Sequence, residues 1–199
     1  MARADEIHEV RPGLYFWQAY EPAVKVELSC CACRTRRGLV FVDPIPLAKP
    51  ALEELLEAGC PAAIVLTNGN HARAAAEYRK RMSIPIYAHG DAVEELGLAV
   101  DHLVNDGDVV LDELTVTHLP GSAPGEIALS GHGAWHLGDA LIHLPPMGFS
   151  LLPDKYCDDP KELRQSVEKL LRIPFEVLTF AHGLPIVAHA RQRLSQLLA

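Results

Sequence analysis

The first third of the chain sets short apolar runs between turn residues. GLYFWQAY, KVELSCCAC and GLVFVD, beginning at Gly13, Lys25 and Gly38, are rich in β-branched and aromatic side chains, and this pattern predicts three strands. Asp43-Pro44 ends the third, and LAKPALEELLEAG then switches to helical spacing closed by Gly59. AAIVLT, from Ala62, is a continuous apolar run of the kind that forms a strand buried on both faces. A polar loop follows, and an alanine-rich segment predicts a helix from about Ala72 to Met82. PIYAH predicts a further strand and DAVEELG a short helix.

The second half repeats this order. After the turn NDGD, Asn105 to Asp108, the runs VVL, LTVTHL, EIALS and AWHL predict strands. DPKELRQSVEKLLR reads as an amphipathic helix with an Asp-Pro start, EVLTFAH as a strand and IVAHARQRLSQLL as a closing helix. No short-period repeat or low-complexity tract interrupts the pattern. One domain over residues 1–199 is expected, long enough to bury a core without staples. Mixed strands with helices at intervals predict two sheets packed together with helices outside, an α/β (α+β) αββα sandwich. A site is expected in polar loops at the strand ends.

Hydrophobic residues at 49% and charged residues at 22% are ordinary globular proportions, so disorder and fibre are set aside. The formal net charge of −8 argues against nucleic acid, which needs a clustered basic surface, and RTRR at Arg34 to Arg37 is short enough to be a solvated turn. No apolar run reaches the roughly 18 residues of a membrane span. The N-terminus MARADEIHEV carries acids and no apolar signal core, so a cytoplasmic location is expected. Strand alternation puts Cys31 and Cys33 on one face and Cys30 on the other. CCAC lacks the paired CxxC spacing of a zinc site and reads as free buried thiols.

Five loop segments follow one another in order: VDP at Val42, TNGNHAR at Thr67, PGSAPGE at Pro120, GDAL at Gly138 and AHG at Ala181. This series resembles the metallo-β-lactamase fold superfamily over nearly the whole chain. In that family the second loop reads T-H-x-H-x-D-H, the third carries a histidine, the fourth an aspartate and the fifth a histidine. The resemblance implies that histidines of a first zinc would stand where this chain has Asn68, Asn70 and Ser122. It implies that a second zinc would use the positions of Ala72, Arg73 and His182, with Asp139 bridging the two ions. Of these positions only Asp139 and His182 keep the family's residue type.

Zinc favours thiolate, imidazole and carboxylate, so neutral amides and an alanine are poor substitutes, and the Arg73 cation repels an ion. Without metal there is no Lewis acid and no lowered water pKa, so the inherited hydrolytic chemistry is not carried over. The expectation is a non-catalytic or small-anion binding protein with no cofactor. Its pocket would be Asn68, Asn70, His71, Arg73 and Ser122, with Arg73 paired to Asp139 and a helix N-terminus near His71. The alternative is a hydrolase with one zinc or other divalent ion on Asp139, His182 and His71.

Asp139 and His182 also form a candidate metal-free acid–base pair. Asp43 matches a family aspartate that supports the metal loop from behind. Ser122 is framed by no G-x-S-x-G elbow. His71 reads as a surface residue of a first helical turn. His118, His132, His136 and His143 read as structural or exposed, with His136 near the sheet surface and His143 able to edge the pocket. LPPMGFSLLP, Leu144 to Pro153, is an apolar loop that could cover the pocket, bind a partner or pack on the chain's own helices. A homodimer is a further possibility.

Overall fold

A computed structural model describes the whole chain, Met1–Ala199. Its first sheet is built from β1 (His8–Arg11), β2 (Leu14–Glu21), β3 (Val26–Thr35), β4 (Gly38–Val42), β5 (Pro61–Val65), β6 (Ile86–His89) and β7 (His102–Val104), in that spatial order. The first four strands pair antiparallel through short turns. From β4 onward the pairs are parallel, because helices carry the chain back between strands. These are α1 (Lys49–Glu57), α2 (Ala75–Met82) and α3 (Val93–Leu96).

The second sheet holds β8 (Val109–Val110), β9 (Leu114–His118), β10 (Ile127–Gly131) and β11 (Ala134–Leu137). Next come β12 (Leu141–Leu144) and β13 (Gly148–Leu151), which form a separate hairpin, then α4 (Pro160–Glu168). β14 (Val177–Thr179) joins the second sheet parallel to β11, and α5 (Ala190–Leu198) closes the chain. The expected apolar loop from Leu144 is therefore largely this hairpin, with Phe149, Leu151 and Leu152 against the core.

Strand alternation sorts the side chains into three apolar layers. Cys30, Ala32, Leu39, Phe41 and Ile64 face Leu52, Leu55 and Tyr78 of the outer helices. Their neighbours Cys31, Cys33, Val40, Val42 and Val65 face Val116, Ile127 and Leu129 of the second sheet. Behind that sheet, Ala128, Trp135 and Leu137 pack on Leu163, Val167 and Leu194 of α4 and α5. Helix, sheet, sheet, helix is the expected four-layer order, and each layer exists because a strand residue's neighbours point the opposite way. No helix is long and apolar enough to cross a membrane.

The helix expected from Ala72 starts at Ala75, with turns before it and no side-chain cap. DAVEELG is a short 3-10 turn running into α3.

Candidate functional site

Five loops leave the two sheets toward a common mouth, carrying Asp43, the Thr67–Arg73 segment, Ser122 to Glu126, Asp139 and His182. Backbone bonds hold them together. Ile127 N donates to Thr67 O at 2.7 Å, and Ser29 N donates to Ala181 O at 2.8 Å.

His71 is the centre of the arrangement, and it is buried rather than on the surface. The loop turns its ring inward, so Nδ1 lies 2.9 Å from Asp43 Oδ2 and Nε2 3.4 Å from Asp139 Oδ1. Asp43 also accepts from Thr67 N at 2.8 Å and from Thr67 Oγ1. His182 approaches from the other side, with Nδ1 2.9 Å from Glu27 O and Nε2 3.2 Å from Asp139 Oδ1. An acceptor at each Nδ1 requires an N–H there, which leaves both Nε2 atoms directed at one carboxylate oxygen.

The other oxygen of Asp139 is held separately. Asn68 Nδ2 donates to Asp139 Oδ2 at 3.1 Å and to Glu126 Oε2 at 2.7 Å. Glu126 is fully buried, and its Oε1 accepts from Ala140 N at 3.1 Å. Sequence reasoning missed Glu126. Its only signal was an acid opening the apolar run EIALS.

Burial is the largest influence on each of these groups. It raises Glu126, joined by the charge of Asp139, to about 8. For Asp139, burial is overridden by the charge of His71 and by the contacts of both histidines, so its carboxyl is held well below the usual range. Burial of His71 would lower its pKa, but Asp43 and Asp139 outweigh it and Arg73, and the imidazole is raised to about 9. Asp43 is lowered despite burial, chiefly by His71.

Arg73 does not pair with Asp139, which corrects the expected ion pair. Its guanidinium donates to Ser29 O at 2.7 Å, Asp43 O at 3.1 Å and Ala181 O at 3.0 Å. It therefore ties β3 to the loops that follow β4 and β14, with three of its five N–H groups engaged there. With α2 beginning at Ala75, the free helix end expected beside His71 is also missing. Asn70 is exposed, its N–H bonded to Asn68 Oδ1 at 2.9 Å. Ser122 is buried with an unpartnered hydroxyl.

His143 lines a cleft of about 380 Å³ with Gln18, Glu27, Pro145 and Gly183, next to His182. His118 stacks on His89, and exposed His132 pairs with Glu113. His136, expected near the sheet surface, is buried between the sheets against Cys31 and Cys33.

His71, Asp139 and His182 thus bring three donor atoms within 4.8 Å of one another, so the expectation of no cofactor finds no support in the geometry. The family model described as metallo-beta-lactamase superfamily matches residues 7–199. Among solved structures, DIM-1 metallo-β-lactamase exposed to ceftazidime is similar with a TM-score of 0.79, 12% identity and coverage of 100% of this chain and 98% of that one. FIM-1 from Pseudomonas aeruginosa in the mono-zinc form gives 0.74, 15%, 96% and 93%. TTHA1623 in a di-iron-bound form gives 0.63, 26%, 85% and 94%. No curated protein matches the chain in sequence.

Proposed function

The chain belongs to the metallo-β-lactamase superfamily, and from that premise we propose that it is a metal-dependent hydrolase with a single-ion centre on His71, Asp139 and His182. One observation carries this reading: both histidines turn Nε2 to Asp139 Oδ1 while an acceptor holds each Nδ1. That is the arrangement of metal-ligating histidines, whose second nitrogen is fixed by a carboxylate or carbonyl.

The distances fit one ion. Ligands about 2.0–2.1 Å from a tetrahedral zinc lie roughly 3.3 Å apart, close to the 3.4 and 3.2 Å found here. A charge-assisted hydrogen bond would be shorter, about 2.7–2.9 Å. A second ion does not fit. Asn68 is engaged by two carboxylates, Asn70 is exposed, and Arg73, a cation bonded to backbone carbonyls, offers no ligand.

When bound, the ion supplies a Lewis acid and an acidified water. The residues do the rest. Asn68 fixes Asp139 Oδ2, which leaves Oδ1 facing the two histidines. Asp43 keeps the proton of His71 on Nδ1, and the carbonyl of Glu27 does the same for His182. The cleft beside His182 offers room for the substrate.

A second reading, a non-catalytic protein without metal, is favoured by the raised pKa of His71. Its imidazolium, placed between Asp43 and Asp139, contacts both carboxylates and offsets one of their two charges without an ion. One experiment separates the two. Protein stripped of metal is titrated with zinc, iron(II) or manganese(II), and the loaded form is assayed on a panel of fluorogenic ester, thioester and lactam substrates. A bound equivalent and a turnover that both disappear in His71→Ala and in Asp139→Ala support the hydrolase, whatever metal those variants keep elsewhere. Equal stoichiometry in the unmodified chain and the two variants removes it and leaves the metal-free reading.

A further inference from the structure

We propose that Cys31, Cys33 and His136 form a second, thiolate-rich centre for a thiophilic divalent ion such as zinc, with its open coordination position turned to the cavity beneath Arg11 and Arg34.

Alternation along β3 points Cys31 and Cys33 into the layer between the sheets, and β11 delivers His136 from the opposite side. The three donor atoms lie within 4.8 Å of one another. Cys31 Sγ is 3.4 Å from His136 Nδ1, and Cys33 Sγ is 3.1 Å from Nε2. One ion takes only one ring nitrogen. With Nε2 as the donor, the Cys33 distance is near the roughly 3.5 Å between sulfur and nitrogen ligands of a tetrahedral zinc, given Zn–S of about 2.3 Å and Zn–N of about 2.0–2.1 Å. Cys31 Sγ, on the Nδ1 side of the ring, has to swing toward the ion to complete the set. Thr179 Oγ1 sits 2.8 Å from His136 Nδ1 and donates toward Cys31 Sγ at 3.5 Å. It holds the ring from behind and leaves Nε2 to face Cys33, as an outer-shell partner does for a metal-bound histidine.

The surroundings make this cluster hard to read as plain packing. Its neighbours in the layer are Val40, Val42, Val116 and Leu129, and a buried imidazole among them carries a desolvation cost that a valine or leucine would not. Cys30, on the other face of the same strand, shows what a structural thiol does here: it donates to Trp17 O and meets no other ligand group. Two thiolates and an imidazole select a soft or borderline ion over magnesium or calcium.

Access exists as well. A cavity of about 180 Å³ reaches Cys33 and His136 from the surface past Arg11, Arg34 and His132. Three protein ligands with one open position are the pattern of a reactive rather than a closed zinc centre. The arginines at the mouth would favour an anionic fourth ligand.

Cobalt(II) reports thiolate ligation directly through a sulfur-to-metal charge-transfer band. Reduced, metal-free protein is titrated with cobalt(II) in the unmodified chain and in His71→Ala/His182→Ala, which disables the loop site. The band should saturate at one equivalent in the double variant and by two in the unmodified chain, where the loop site competes for cobalt, and vanish in Cys33→Ser. Its absence from the unmodified chain overturns the proposal, and so does its survival in Cys31→Ser/Cys33→Ser, which would place the ion on Cys60 or Cys157. Should the serine variants fail to fold, alkylation of the unmodified protein decides. Zinc should slow modification of Cys33 about tenfold or more while leaving exposed Cys60 unchanged, and equal rates at Cys33 would refute the site.

Discussion

His71 Nδ1 lies 2.9 Å from Asp43 Oδ2, and this contact turns a loop spacer into the hub of the site. Both side chains are buried, and Asp43 and Arg73 hold left-handed backbone, with φ of 49° and 38°. Such a conformation costs a non-glycine residue about 1–3 kcal/mol. The His71 ring points inward, its Nε2 3.4 Å from Asp139 Oδ1.

If Asp43 acts on the metal through His71, Asp43→Asn should weaken binding without removing a ligand. An amide still accepts from Nδ1 but no longer raises the basicity of the ring. We expect affinity to fall 10–100-fold, the usual loss for such a partner, with stoichiometry unchanged. Competition against a chromogenic chelator measures it. Unaltered affinity would mean that His71 is not a ligand.

The raised pKa of His71 has a consequence for the metal-free protein. A folded-state pKa of about 9 against a usual 6.5 means that the folded chain holds a proton the unfolded chain releases. The stabilisation is full below pH 6.5 and is lost as pH rises through 9. At roughly 1.4 kcal/mol per unit it is on the order of 3 kcal/mol. Glu126, raised to about 8, acts in the same direction, its contribution being lost between its usual 4.5 and 8. Urea unfolding in EDTA at pH 6 and pH 9.5 should show the decline, and His71→Gln should flatten its upper part. A profile identical in the variant would assign the decline elsewhere.

Gly138 lies where the loop before Asp139 passes closest to its neighbours. A methyl group there would run into the Thr67 side chain and sit 2.7 Å from Glu126 Oε1. Gly138→Ala should therefore cost about 1–3 kcal/mol, as overpacking does, and should weaken metal binding by displacing Asp139. Chemical denaturation combined with metal titration tests both effects. A stable variant with normal affinity would show that the loop relaxes freely.

The fold was legible because its signals are periodic. Alternation in KVELSCCAC places Cys31 and Cys33 in one layer and Cys30 in the other, as the structure has them. The site was legible only where it depends on family positions such as Asp139 and His182. His71 was legible as a pocket residue and an alternative ligand but was also read as a surface residue, because a sequence motif does not show which way a loop turns its rings. The Cys31–Cys33–His136 cluster joins residues more than a hundred positions apart across two sheets, a juxtaposition that no local spacing encodes.

Arg73 supports a last prediction, which bears on whether this residue binds ligands or holds the fold. Its guanidinium spans the carbonyls of Ser29, Asp43 and Ala181, which belong to three separate segments. The contacts come from two nitrogens of a planar fork, whereas the three donors of a lysine ammonium radiate from a single nitrogen and match this spread poorly. Arg73→Ala takes a donor from three carbonyls in a half-buried place, of which Ala181 O keeps its bond from Ser29 N; an acceptor left unmet costs about 1–3 kcal/mol. Water reaches some of them, so a loss near 3 kcal/mol is expected by urea unfolding, with Arg73→Lys in between. An anion-binding role predicts a different outcome: stability would hardly change, while the rise in Tm produced by phosphate would disappear. The three carbonyl contacts favour the first result, because they engage three of the five guanidinium N–H groups and fix the head against the backbone.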